Sequence, residues 1–194
     1  KGRVVAEADL VEPITESGVE TEGLVTLDEL RQAATTAPTT NPAATAAVLA
    51  KDKAFYIFTS GTTGMPKASV MTHYRWLRAL AGFGGLGLRL NSNDTLYCCL
   101  PLYHNNALTV SVGSALNAGA SLALGKSFSA SRFWDEVIGH EATAFVYIGE
   151  ICGYLLNQPA KPTDRAHKVR VIVGNGWRPA SWDEFTKRFG IPRV

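Results

Sequence analysis

Residues 59–67 read Thr59-Ser60-Gly61-Thr62-Thr63-Gly64-Met65-Pro66-Lys67. Hydroxyl side chains and glycines crowd together here, and a lysine closes the run. Glycine lets a backbone approach a ligand closely. Successive backbone N–H groups in such a loop form a concavity that binds anions. The hydroxyls of Thr59, Ser60, Thr62 and Thr63 can donate to phosphate oxygens, and Lys67 adds a full positive charge. Pro66 fixes the chain just before that lysine. The spacing is not that of a Walker A loop, which needs four residues between its glycines and Ser or Thr after its lysine. Here two residues separate Gly61 from Gly64, and Ala68 follows Lys67. Composition alone also fits a Gly/Ser/Thr-rich surface turn.

Other residues have types that could do chemistry. His104 follows an apolar strand ended by Pro101 and precedes a helix, where a histidine can simply hydrogen-bond the helix start. Gly174-Asn175-Gly176 lies between a strand and a helix, as a turn would. Glu150 opens a helix, where a solvated carboxylate is favoured by the helix dipole. Trp177 reads equally well as packing. Arg75, Trp76 and Arg78 could meet a membrane surface or form a solvated basic face. Cys98, Cys99 and Cys152 have no metal-ligand spacing and read as buried thiols of a reducing compartment.

Longer strings add specificity. The run Tyr56–Lys67 resembles the signature of the adenylate-forming superfamily, which includes acyl-CoA synthetases, adenylation domains of peptide synthetases and firefly luciferase. Leu100-Pro101-Leu102-Tyr103-His104 is similar to the second signature of that group. Tyr147–Asn157, His167–Arg170, Gly174–Gly176 and Trp182–Phe185 resemble the branch of fatty acid transport proteins and very-long-chain acyl-CoA synthetases. The resemblance covers roughly residues 50–194.

The resemblance implies two half-reactions: a carboxylate and ATP give an acyl-adenylate and pyrophosphate, and CoA then displaces AMP. It assigns Thr59, Ser60, Gly61, Thr62, Thr63, Gly64 and Lys67 to the β- and γ-phosphates. It places His104 near the α-phosphate and the acyl carboxylate, and Gly174, Asn175 and Gly176 along adenine. Tyr147, Gly149 and Glu150 fall near the acyl or adenine pocket. Lys67 and His104 are thus the catalytic candidates. ATP, Mg2+ and CoA are the implied cofactors and co-substrates, and a fatty acid is the implied acid. No metal ligand is assigned within this sequence. The family's Mg2+-binding glutamate, ribose-binding aspartate and C-terminal lysine are expected beyond Val194. The leading function is activation of a long- or very-long-chain fatty acid by a full-length protein. Alternatives are a sterol-derived or aryl acid, a membrane-associated uptake factor that traps imported acid as thioester, and a non-catalytic nucleotide-binding remnant.

The elements that must position these groups follow from hydrophobic patterning. Ala54–Thr59, Thr95–Leu100, Ala120–Leu124, Thr143–Ile148 and Val169–Val173 read as strands, mostly continuous apolar runs that suit a sheet buried on both faces. Helices are expected over 72–88, 107–117, 131–140, 149–157 and 179–189. Ala68–Met71 reads as a short strand. This alternation predicts an α/β layered domain with a largely parallel sheet, part of the large N-terminal domain of an adenylate-forming enzyme. Before it, residues 3–8 read as a strand, 9–23 as an acidic surface loop and 26–33 as a helix capped by Thr26. The segment 1–49 is expected to be part of the same large domain, and 50–194 its central part. The loop 158–167, with two prolines, is expected to be the most flexible connection.

Charge is unevenly spread. The chain has 17 acidic and 19 basic side chains, and residues 1–50 hold eight of the acidic but only three of the basic ones. The remaining 9 acidic and 16 basic fall after residue 50, on the part suited to an anionic ligand. A net charge of +2 gives no reason to expect nucleic acid as the partner. No apolar run approaches the ~18 residues of a membrane span, and the charged start lacks the apolar core of a leader. A cytoplasmic site, with peripheral association at the inner face of a membrane, is the expectation. Both ends read as internal to a longer chain.

Overall fold

The computed structural model describes residues 3–18, 23–59, 65–177 and 181–194. The chain falls into two compact units, Lys1–Val48 and Leu49–Val194. The first is built on β1 (Arg3–Ala6), α1 (Val11–Glu16), β2 (Gly23–Thr26) and α2 (Leu27–Ala34). β1 and β2 pair in parallel. Thr26 caps α2 as expected: its hydroxyl accepts from the Glu29 N–H at 3.1 Å, and the Glu29 carboxylate accepts from the Thr26 N–H at 2.7 Å. The described part of the acidic segment, up to residue 18, is largely helical rather than a loop, and residues 19–22 lie outside the described set. A single helical turn of Ala8–Leu10 runs into α1, where Pro13 sits in the first turn and sacrifices no helical hydrogen bond. The charges that suggest a loop face solvent from a helix with no buried residue.

The second unit opens with an antiparallel hairpin, β3 (Lys53–Thr59) and β4 (Lys67–Thr72). Thr59 pairs with Lys67, and Tyr56 with Val70. The Thr72 hydroxyl accepts from the Arg75 N–H at 3.2 Å and starts α3 (His73–Leu80). The expected single helix over 72–88 changes character at Ala81–Gly87, a π-helix. Its glycines allow close packing: a methyl at Gly84 would lie 3.0 Å from the Ser114 backbone.

Four parallel strands follow: β5 (Thr95–Cys98), β6 (Ser121–Leu124), β7 (Ala144–Ile148) and β8 (Val171–Asn175). The spatial order is β6-β5-β7-β8. The β5–β6 crossover is a second π-helix, Asn106–Gly113, continued by α4 (Ser114–Ala118). The other crossovers carry α5 (Phe133–Gly139) and α6 (Gly149–Leu156). After β8 comes α7 (Trp182–Phe189), which the sequence places from residue 179; residues 178–180 lie outside the described set. The core is the sheet and the helix faces on it, with Leu96, Phe145, Ile172, Phe133, Leu155 and Phe185 fully buried.

The N-terminal edge of the sheet is closed by a polar network. Asp94, 4% exposed, accepts from Arg170 Nε at 3.0 Å, Thr143 Oγ1 at 2.7 Å and the Asn91 N–H at 2.9 Å. Burial pushes its carboxyl up, but these hydrogen bonds outweigh burial and hold it below the ordinary aspartate value. The loop 158–167 makes several hydrogen bonds to α7. Arg188 donates to Asp164, to the Leu156 carbonyl at 2.7 Å and to the Pro159 carbonyl at 3.0 Å. One guanidinium thereby satisfies the end of α6 and the loop beyond it.

Candidate active site

In a doubly wound sheet, ligands sit outside the carboxyl ends of the strands where successive connections leave in opposite directions. Here β5 leads to β6 on one side and β7 leads to β8 on the other, so that point lies between β5 and β7. The residues at this edge are the loop Cys99–Asn105 after β5, Lys126 after β6, Gly149 after β7, and Gly174–Gly176 at the end of β8.

His104 is exposed on the first of these loops. Its backbone is fixed by its N–H donating to the Pro101 carbonyl at 2.9 Å and its carbonyl accepting from the Leu108 N–H at 3.0 Å. The Asn106 N–H donates to His104 Nδ1 at 3.2 Å. With Nδ1 an acceptor, the neutral ring carries its proton on Nε2 and can donate that hydrogen to an anion.

Asn175 and Gly176 are exposed at the tip of β8. The side chain of Asn106 donates to Asn175 Oδ1 at 3.0 Å and so joins the two loops. Glycine is required on both sides of this contact. A methyl at Gly149 would overlap the Gly176 carbonyl, and one at Gly174 would overlap the Tyr147 carbonyl and ring. Gly176 itself has φ +77°, a conformation that L side chains rarely adopt. Two cavities flank the start of α6. One, of about 320 Å³, is lined by Gly149, Glu150, Tyr154, Trp177, Ser181 and Glu184. The other, of about 380 Å³, has mostly apolar walls that include Leu100, Pro101, Phe128, Ile148, Ile151 and Tyr154, with Lys126 beside them. Trp177 is packed as well as lining: its ring meets Tyr147 edge-on at 5.3 Å and its Nε1–H donates to Ser181 at 2.8 Å. Burial pushes the Tyr147 hydroxyl up to about 12, so it stays protonated.

Thr59, the last residue of β3, and Lys67, the first of β4, pair with each other at the turn end of the hairpin, and the Lys67 side chain is exposed. Ser60, Gly61, Thr62, Thr63 and Gly64 lie outside the described residues. The structure thus joins the His104 loop to Gly174–Gly176, and Thr59 to Lys67. These two pairs stand on different sheets linked through α3, which packs against Asn106–Gly113. Sequence reasoning did not single out Asn106. Its only local signal is an asparagine beside a candidate histidine. The three cysteines are free and buried, and burial raises the thiols of Cys99 and Cys152 to about 12, which makes them poor nucleophiles. Among the described residues, no group of three or more His, Cys, Asp and Glu side chains could hold a metal ion, and no helix is long and apolar enough to cross a membrane.

The family described as AMP-binding enzyme matches residues 3–194. The chain belongs to that family. It is 70% identical to the medium/long-chain-fatty-acid–CoA ligase FadD6 of Mycobacterium tuberculosis, over 98% of this chain and 33% of the ligase. It is 52% identical to long-chain fatty acid transport protein 1 of Homo sapiens, over 74% of this chain and 22% of that protein. The chain therefore spans about a third of the ligase and about a fifth of the transport protein. Among solved structures, the inhibitor-bound N-terminal domain of FACL13 from Mycobacterium tuberculosis superposes with a TM-score of 0.82 at 21% identity, over 98% of this chain and 48% of that one. That likeness establishes the fold: the sheet and its crossovers are those of the N-terminal domain of an AMP-binding enzyme.

Proposed function

We propose that this chain is the nucleotide-binding part of an ATP-dependent fatty acid–CoA ligase acting on medium or long acyl chains. The observation that carries this reading is the 70% identity to a ligase of that named activity, sustained along nearly the whole chain. The geometry supports it. In the first half-reaction a fatty acid carboxylate oxygen attacks the α-phosphorus of ATP. The bond to the bridging oxygen breaks, and pyrophosphate leaves with that electron pair. This step needs positioned charge rather than a protein nucleophile. Lys67 and the hydroxyls of Thr59, Ser60, Thr62 and Thr63 would bind the β- and γ-phosphates. His104 would donate from Nε2 to the carboxylate or the α-phosphate. Gly174–Gly176 would lie along adenine, a flat surface that these glycines allow close to the backbone. The apolar cavity beside Leu100, Phe128 and Ile151 suits an alkyl chain better than a polar acid. In the second half-reaction the CoA thiolate attacks the acyl carbon and AMP departs. Mg2+ would neutralise charge on the triphosphate; its ligands are not found among the described residues, so no step here is assigned to it.

A second reading, uptake coupled to activation at a membrane, is favoured by the identity to a fatty acid transport protein. α3 supports it by exposing Tyr74, Leu77, Arg75 and Arg78 together. The test of the main reading is ATP–pyrophosphate exchange by the full-length protein across a carboxylic acid panel. Exchange fastest with medium- or long-chain fatty acids is expected; a higher kcat/KM for acetate or benzoate would overturn the assignment.

A further inference from the structure

Asn106 touches both loops of the site. Its backbone N–H donates to His104 Nδ1 and its side-chain amide donates to Asn175 Oδ1. The loops it joins leave from β5 and β8, which are not neighbours: β7 lies between them, and no ladder hydrogen bond ties one to the other. From the β7 side, Gly174–Gly176 is held by contact with the Gly149 backbone, 3.5 Å from where a methyl of Gly176 would lie. From the β5 side, the described hydrogen bond across the gap is the one from Asn106. Asn106 also begins the π-helix Asn106–Gly113, a geometry frequent at functional sites.

We propose that Asn106 is a positioning residue that clamps the His104 loop to the Asn175 loop, so that acyl carboxylate and nucleotide are held by one rigid unit. This rests on the adenylation reading above. Asn175 is exposed and Asn106 only partly buried, so the clamp adds little to global stability. Its effect falls on the alignment of the reacting groups, where small displacements are costly. The chemistry of the bond makes a specific test possible. In Asn106→Asp the new carboxylate accepts, and the Asn175 amide, turned over, donates to it, so the bond survives with its polarity reversed. In Asn106→Ala it is lost. In Asn106→Asp combined with Asn175→Asp, two carboxylates face each other and repel.

The experiment uses the full-length protein and reads hydrogen exchange of segments 104–108 and 174–177 together with ATP–pyrophosphate exchange driven by palmitate. Asn106→Ala and Asn175→Ala are each expected to speed hydrogen exchange in both segments and to lower kcat about tenfold. In Asn106→Ala, which lies outside the nucleotide-binding loop, KM for ATP stays near the parent's, and the thermal midpoint does so in both variants. The double alanine variant is no worse than either single one, Asn106→Asp recovers most of the rate, and the double Asp variant does not. Unchanged hydrogen exchange in the far segment, or fully additive rate losses, would overturn the clamp. A parent protein that exchanges pyrophosphate with no fatty acid would overturn the adenylation reading instead, and the hydrogen-exchange comparison would still decide the clamp.

Discussion

Thr59 and Lys67 are cross-strand backbone partners at the turn end of the β3–β4 hairpin. Residues directly opposite in an antiparallel pair lie about 4.5–5.5 Å apart. The Ser/Thr/Gly-rich stretch between them is therefore anchored at both ends by ladder hydrogen bonds, and its lysine starts a strand.

The glycines at the carboxyl edge of the sheet are expected to tolerate no side chain. Gly149→Ala forces a methyl into the Gly176 carbonyl, and Gly174→Ala forces one into Tyr147. Each is expected to cost about 1–3 kcal/mol by overpacking and to reduce adenylation further than that loss alone explains. Gly153→Ala is the control, because its methyl would meet nothing within 4 Å and replaces a glycine within α6. It is expected to be neutral or to add up to ~1 kcal/mol. Thermal melts of the three variants check this, and equal behaviour would contradict the packing argument.

At the opposite edge, Arg170→Ala strips Asp94 of its charged partner. The Asp94 side chain is 5% exposed, whereas that of Arg170 is 37% exposed. Breaking a fully buried pair costs about 3–5 kcal/mol. Water can take part of the place of the more exposed partner, so ~2–3 kcal/mol is the expected loss in urea unfolding. Asp94 has a lowered folded-state pKa. Its contribution is present above the unfolded value and is lost as pH falls through the folded one. The parent should therefore lose stability in strong acid, and Arg170→Ala should lose less of it there.

His167 predicts a second, milder acid effect. Its ring stacks on Trp134 at 4.5 Å, Nδ1 accepts from the Val169 N–H at 3.1 Å, and Nε2 then donates to the Phe189 carbonyl at 3.0 Å. Burial lowers its pKa from 6.5, outweighing the Phe189 hydrogen bond, which raises it. Below about pH 6.5 the unfolded histidine takes a proton that the folded one resists. Stability should fall on acidification from pH 7 until the folded pKa is reached. Thermal midpoints at pH 7.5 and 5.5 should differ more for the parent than for His167→Gln. An equal difference would show that His167 does not carry the effect.

The parallel sheet was legible because β5, β7 and β8 are near-continuous apolar runs, as strands buried on both faces must be. The hairpin was legible only as two strands: Ala54–Thr59 reads as buried within the parallel sheet, whereas β3 pairs antiparallel with β4 in a separate sheet and leaves Tyr56 and Phe58 exposed. Two features were not. The π-helical segments Ala81–Gly87 and Asn106–Gly113 keep helical composition, so periodicity reads them as α-helix. They pack closely against neighbouring elements, Gly84 against Ser114 and Gly113 against Leu80, tertiary contacts that no local pattern marks. The Asn106–Asn175 bond spans 69 residues of sequence, and no local pattern marks it. Within the segment 9–23, residues 11–16 are helical although their acidic composition reads as a loop, because the proline occupies a first helical turn where it does no harm; residues 19–22 lie outside the described set.

Lys67 offers the most direct test of the adenylation mechanism. In the full-length protein, Lys67→Ala should slow adenylate formation, measured by ATP–pyrophosphate exchange with palmitate. The same variant should form thioester from preformed palmitoyl-adenylate and CoA at nearly the parental rate. Charge moves onto pyrophosphate as the α-phosphorus bond breaks, and one preorganised group aimed at it is worth on the order of 3 kcal/mol, roughly a hundredfold. In the thioester step pyrophosphate has already gone, so the lysine has nothing left to stabilise. A hundredfold loss confined to the first half-reaction, in a protein with an unchanged thermal midpoint, is the predicted result; equal loss in both half-reactions, or in neither, would contradict it.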